Sequence, residues 1–132
     1  MNKIFLSSAL ALIMLSAIPA HAVTVRGDGT LMAGGEGRMQ IRGNGIVHLV
    51  QVEEGSMVRV GENANGNFTG FSFMGRESGF RIFKSTGNGL ATIEGNRITV
   101  ELMGTTTSIS ATGVGAARFF GNGWYDKFRR SR

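Results

Sequence analysis

The chain has 132 residues, a formal charge of +5, no cysteine, a single proline and 21 glycines. Glycine stands at more than twice its usual share of ~7%, but one proline and no triplet period exclude a collagen-like chain, and a hydrophobic fraction of 42% argues against disorder. Without cysteine there is no disulfide framework, no thiolate metal site and no cysteine–histidine catalytic pair.

Residues 1–22 read as an export signal. Lys3 supplies the positive start, Ile4 to Ile18 the apolar stretch, Pro19 the break, and Ala20-His21-Ala22 the small-x-small form that signal peptidase reads. Cleavage after Ala22 leaves Val23 to Arg132, the length of one domain with one modest core. Pro19 leaves with the signal and every glycine stays. The expected organisation is a signal peptide at 1–22, a β-domain at 23–125 and a basic tail at 126–132. No transmembrane segment is expected after cleavage.

Three stretches of the remaining chain align, beginning at Gly35, Gly87 and Gly113. Each reads Gly-x-Gly, five residues, Gly-Asn-x, then a large apolar residue. Gly27-Asp28-Gly29 begins a degenerate fourth copy. The five residues alternate in polarity, the period of a half-buried strand. Met39 and Ile41 take inner places in the first copy, against Arg38, Gln40 and Arg42. Ala91 and Ile93 do so in the second, against Leu90, Thr92 and Glu94. Ala117 and Phe119 do so in the third, against Ala116, Arg118 and Phe120. By the same alignment His48 faces inward, with Val100. Asn-Gly at 44–45, 65–66, 88–89 and 122–123 is a strong hairpin signal, because a type I′ turn needs positive φ at both central residues. Glycine pairs every eight residues predict short strands that turn or kink repeatedly.

Between the first and second copies, Glu53 to Ser56 reads as a turn and Met57 to Val60 as a strand. Glu62 to Gly70 reads as a polar loop. Phe71 to Phe73 and Phe80 to Ile82 read as a hairpin with aromatic inner faces. Beyond the second copy, Ile98, Val100 and Leu102 alternate with Thr99 and Glu101, and Thr107, Ile109 and Ala111 share one side of a further strand. No apolar stripe of helical period follows the signal. The expected fold is all-β: a single antiparallel sandwich or small barrel of about nine or ten short strands built from the Gly-x-Gly repeats. A β-solenoid is the alternative.

The chemistry is sparse. The glycine triplets lack the third glycine and following helix of a dinucleotide loop, and the Gly-Lys-Ser/Thr of a phosphate loop. Met39 stands where a calcium-binding nonapeptide would place aspartate. His48 is the sole histidine beyond the signal, and no Gly-x-Ser-x-Gly elbow exists to partner it. No catalytic residue, metal ligand or cofactor is therefore assigned. The net charge is concentrated at the end, where Lys127, Arg129, Arg130 and Arg132 fall; the body to Tyr125 is nearly neutral, which argues against a nucleic-acid surface. Phe120, Trp124 and Tyr125 lie just before that tail. With Lys127, Arg129 and Arg130 they form the candidate site for a partner or glycan, since an exposed aromatic can stack on a sugar ring or anchor a protein.

The spread of Gly27-x-Gly29, Gly43-Asn44-Gly45, Gly87-Asn88-Gly89, Gly95, Gly113-x-Gly115 and Gly121-Asn122-Gly123 resembles exported bacterial proteins built from Gly-x-Gly β repeats. That resemblance implies a β-rich fold and carries no assigned activity. Gln40 to Gln51 is similar in part to the repeats of curli-type amyloid subunits. The expected function is a non-enzymatic β-domain of the bacterial cell envelope or exterior, periplasmic or extracellular. It would act as a binding or structural module for an envelope protein, a polysaccharide or an anionic surface. The alternatives are a secreted hydrolase using acidic residues and a self-assembling, curli-like surface subunit.

Overall fold

A computed structural model describes residues 16–17 and 23–129, with side chains described from 23 to 126. Most of the expected signal peptide, and Arg130, lie outside the described residues. The strands are β1 (Ser16–Ala17), β2 (Val23–Val52), β3 (Met57–Gly61), β4 (Asn65–Glu77) and β5 (Phe80–Arg129). Together they form one antiparallel sheet that does not close into a complete ring. The solenoid alternative does not fit, because every ladder is antiparallel and solenoid coils stack in parallel.

Two strands dominate, and the repeats lie within them. β2 pairs with β5 along both of its edges. Ile41 sits between Val100 and Ala117, and Met39 between Leu102 and Phe119. Ile109 in turn lies between Ala33 and Leu49 of β2. Fully extended, the stretch from Ala33 to Leu49 would span roughly 50 Å, yet two neighbours of one strand are only roughly 10 Å apart. β2 therefore travels a full circuit between those residues, and the sheet coils upon itself.

The glycine pairs are the bends of that circuit. Leu31, Ala33, Met39, Ile41, Val47 and Leu49 are all buried, and strand alternation puts Gly35, Gly37, Gly43 and Gly45 on that same inner side. The pairs stack across strands into two columns. Gly27 and Gly29 face Gly115 and Gly113, which face Gly43 and Gly45. Gly35 and Gly37 face Gly123 and Gly121, and Gly37 also faces Gly104. A Cβ on Gly37 would fall on the Phe120 carbonyl oxygen and lie 2.8 Å from the Cα of Gly121. The inner face of a sharply folded sheet has no room there for a side chain.

This corrects the hairpin expectation. The Asn-Gly steps at 44–45, 65–66, 88–89 and 122–123 all lie within strands. The positive-φ pair of a two-residue hairpin falls at Ser78 (52°) and Gly79 (82°), joining β4 to β5. The nine or ten short strands expected are consequently fewer and longer, because the chain bends at glycine without breaking its ladder. The polar loop expected at 62–70 is shorter too, since β4 begins at Asn65.

β5 is longer than the partner it follows, and bulges absorb the difference. It takes three steps from Gly95 to Ile98 while β2 takes two from Gly45 to Gly43, with Arg97 at a φ of 54°. It does so again from Thr106 to Ile109 against Gly35 to Ala33. Each bulge resets the alternation. Thr106, not Thr107, accordingly lies inside with Ile109 and Ala111, a correction to the expected strand face.

The core joins Met39, Ile41, Val47, Leu49, Val58, Val60, Ile93, Val100, Leu102, Ile109 and Phe119. Buried polar groups serve the irregular backbone near Val52, where Gln51 has a φ of 53°. Thr106 Oγ1 donates to the Val50 carbonyl at 2.8 Å, and Ser85 Oγ to the Val52 carbonyl at 2.8 Å. Each adds a donor where the ladder is irregular.

Candidate binding face on the outer side of the sheet

The residues opposite the core strip of β2 and β5 form the outer face. Arg26, Arg38 and Arg42 alternate with Val25, Met39 and Ile41, and Arg118 and Phe120 alternate with Ala117 and Phe119. All four arginines and Phe120 are exposed. The coil then brings them together from distant parts of the sequence. Arg38 lies directly across from Phe120, and Gln40 directly across from Arg118. Arg26 and Arg42 flank Ala116, whose small side chain leaves the space between them open. Directly paired side chains on a sheet start ~5 Å apart, so these groups can act on one ligand.

Asp28, Glu36 and Glu101 share this face and offset the arginines only in part. Glu101 accepts from Gln40 Nε2 at 2.8 Å and from Arg59 Nη1 at 3.3 Å. That ion pair engages the carboxylate from the β3 side. Arg26, Arg38, Arg42 and Arg118 make no ion pair within the described residues. Glu53, Glu54, Glu62 and Glu77 are exposed at or beside the turns. Asp28 and Glu36 of β2 and Glu94 and Glu101 of β5 also lie on strands, so the sheet carries both signs. The charge summed along the sequence concealed this face.

A groove of about 370 Å³ opens among Arg38, Gln40, Glu101, Arg118, Phe119 and Phe120. Phe120 supplies an apolar wall, 53% exposed. Its outward position agrees with the alternation of the third repeat. A shallower, wider depression runs along the glycine column beside Arg26, Arg42 and Arg97. There Asn44 Oδ1 accepts from the Arg97 backbone N–H at 2.7 Å, fixing the bulge.

The other expected site residues are placed differently. Tyr125 is half-buried against the core and stacks on Phe119, centroids 5.5 Å apart and planes 18° apart. Trp124 is half-buried on the opposite side, with its indole over Gly34. A Cβ at Gly34 would lie 2.8 Å from the indole Nε1. Neither aromatic lines the arginine groove. Asp126 to Arg129 continue β5, so the expected domain boundary is not a break in the strand; Arg129 pairs with Thr30.

His48 is exposed, which corrects its expected inward orientation. The correct inner neighbours are Val47 and Leu49, and the ring Nδ1 lies 3.2 Å from Thr92 Oγ1 on the outer face. Among the described residues no three histidine, aspartate or glutamate side chains gather as a metal site. No helix there is long and apolar enough to cross a membrane. Comparisons with family models, curated proteins and solved structures find no match to the chain.

Proposed function

We propose that the chain is an exported, non-enzymatic β-domain of the bacterial cell envelope or exterior that binds an anionic partner through the outer face of β2 and β5. The observation that carries this reading is the set of exposed arginines without ion-pair partners in the described residues: Arg38 and Arg118 in the groove walled by Phe120, and Arg26 and Arg42 beside the neighbouring depression. Guanidinium groups recognise carboxylate, sulfate and phosphate through paired N–H donors. A sheet presents them at fixed spacing with little ordering cost on binding. In this reading the coiled sheet is a flattened roll, the sandwich or small barrel expected from the sequence, with glycine columns at its bends. Export rests on the signal-like residues 1–22.

The test is retention of the mature chain, Val23 to Arg132, on immobilised dextran sulfate. The parent should elute at high salt. Arg38→Glu combined with Arg118→Glu should elute far earlier while unfolding at an unchanged temperature. Equal elution of parent and variant would refute a role for this face. Fractionation of producing cells checks the export half: finding the chain in the cytoplasm with Met1 intact would overturn it.

A further inference from the structure

We propose that the partner of this face is an acidic polysaccharide, and that Arg38, Gln40, Arg118 and Phe120 form one sugar subsite; this rests on the anionic-partner reading above. The four residues make two adjacent cross-strand pairs, Arg38 with Phe120 and Gln40 with Arg118. They place charge, amide and ring around one groove of about 370 Å³, at the small end of ligand pockets. A uronic acid ring carries three features that match. Its carboxylate fits the guanidinium forks of Arg38 and Arg118. Its hydroxyls fit the Gln40 amide and the free acceptor capacity of Glu101. Its C–H face is apolar and flat enough to lie on Phe120.

The face of Phe120 is open for this purpose. Elsewhere in the molecule arginine covers exposed or half-exposed rings: Arg59 lies 4.5 Å from the Phe80 centroid and Arg76 lies 5.6 Å from that of Phe73. Among the described residues no guanidinium covers Phe120, although Arg38 is its direct partner. A bare phosphate polymer would use the arginines and gain nothing from the ring. A single-stranded nucleic acid would use both, since bases stack on aromatic side chains. The nearly neutral total charge of the body and the proposed export favour the saccharide.

Calorimetric titration of the mature chain with oligogalacturonate, polyphosphate, oligothymidylate and a neutral cello-oligosaccharide separates these cases. Oligogalacturonate should bind, and Phe120→Ala should weaken it about tenfold or more. The same variant should leave polyphosphate binding nearly unchanged, and Phe120→Trp should restore the oligogalacturonate affinity. Phe120 is exposed, so its variants should melt with the parent. Uronate binding indifferent to Phe120→Ala would overturn the subsite while leaving the anionic face intact. Tighter, Phe120-dependent binding of oligothymidylate, or equal binding of the neutral sugar, would overturn the saccharide assignment. Failure of every anionic probe to bind would overturn both readings.

Discussion

Replacing Gly113 by alanine tests the claim that the glycine columns are inner corners. Gly113 has a φ of 144° and sits between Gly29 and Gly45. A Cβ there would fall on the Asn44 carbonyl oxygen and lie 2.9 Å from the Gly45 Cα. Both obstacles are backbone, held in ladders. Two costs add. The positive-φ conformation costs of order 1–3 kcal/mol for a side-chain-bearing residue, and forcing the Asn44 backbone aside costs about 1–3 kcal/mol more, as overpacking does. Stiffening the unfolded chain returns only about 0.4–1 kcal/mol. Gly75→Ala is the control: its φ is 118° but nothing lies within 4 Å of the added Cβ, so it should show only the conformational cost. In urea and thermal unfolding of the mature chain, Gly113→Ala should lower stability by about 2–5 kcal/mol. That corresponds to a fall in Tm on the order of 10–20 °C for a domain of this size. Equal loss in the two variants would show that backbone conformation alone explains the glycines. No loss at Gly113 would refute the corner geometry.

Thr106→Val keeps the shape of the buried side chain but leaves the Val50 carbonyl without its 2.8 Å donor; it should cost about 1–3 kcal/mol, and a neutral result in denaturant titration would show that water replaces the hydroxyl. Phe119→Ala removes the largest fully buried side chain and the ring beneath Tyr125, for an expected loss of about 3–5 kcal/mol; a loss below 1 kcal/mol would mean the core closes over the gap. Gly34→Ala would put a Cβ on the Thr107 carbonyl oxygen as well as against the indole, so it should both lower stability and displace the ring. Trp124 is the only tryptophan, so the emission maximum should move to the red, and an unchanged spectrum would show that Trp124 does not pack there.

The sequence disclosed the fold class through period-two alternation, and that alternation named the buried residues well. Met39, Ile41, Ala91, Ile93, Ala117 and Phe119 are all inside. The glycine spacing also gave the right places for bends. What local pattern could not reveal was whether a bend ends a strand. Asn44-Gly45 has the composition of a type I′ turn, but Gly45 is held by Gly95 on one side and Gly113 on the other, so tertiary pairing overrides the local preference. His48 failed for a related reason: its inward placement assumed an alignment with Val100 that crosses the Arg97 bulge, where the alternation changes phase. The candidate site was legible only at Phe120. Arg38 and Arg118 stood in view at outer positions, yet their union with Gln40 depends on a pairing between residues far apart in the chain.

The double pairing of β2 also sets an order of events. The first long strand of the domain finds both of its flanks in the last third of the chain, and its own turns touch only through that late segment. Nearly every stabilising contact therefore closes a long loop, the circumstance under which folding is slow. Val23 to Val52 has little to fold onto while the rest is still being delivered. For a chain threaded through a membrane as proposed, this postponement is useful: the polypeptide remains unfolded and pliable during passage, and collapse awaits the arrival of β5 on the far side.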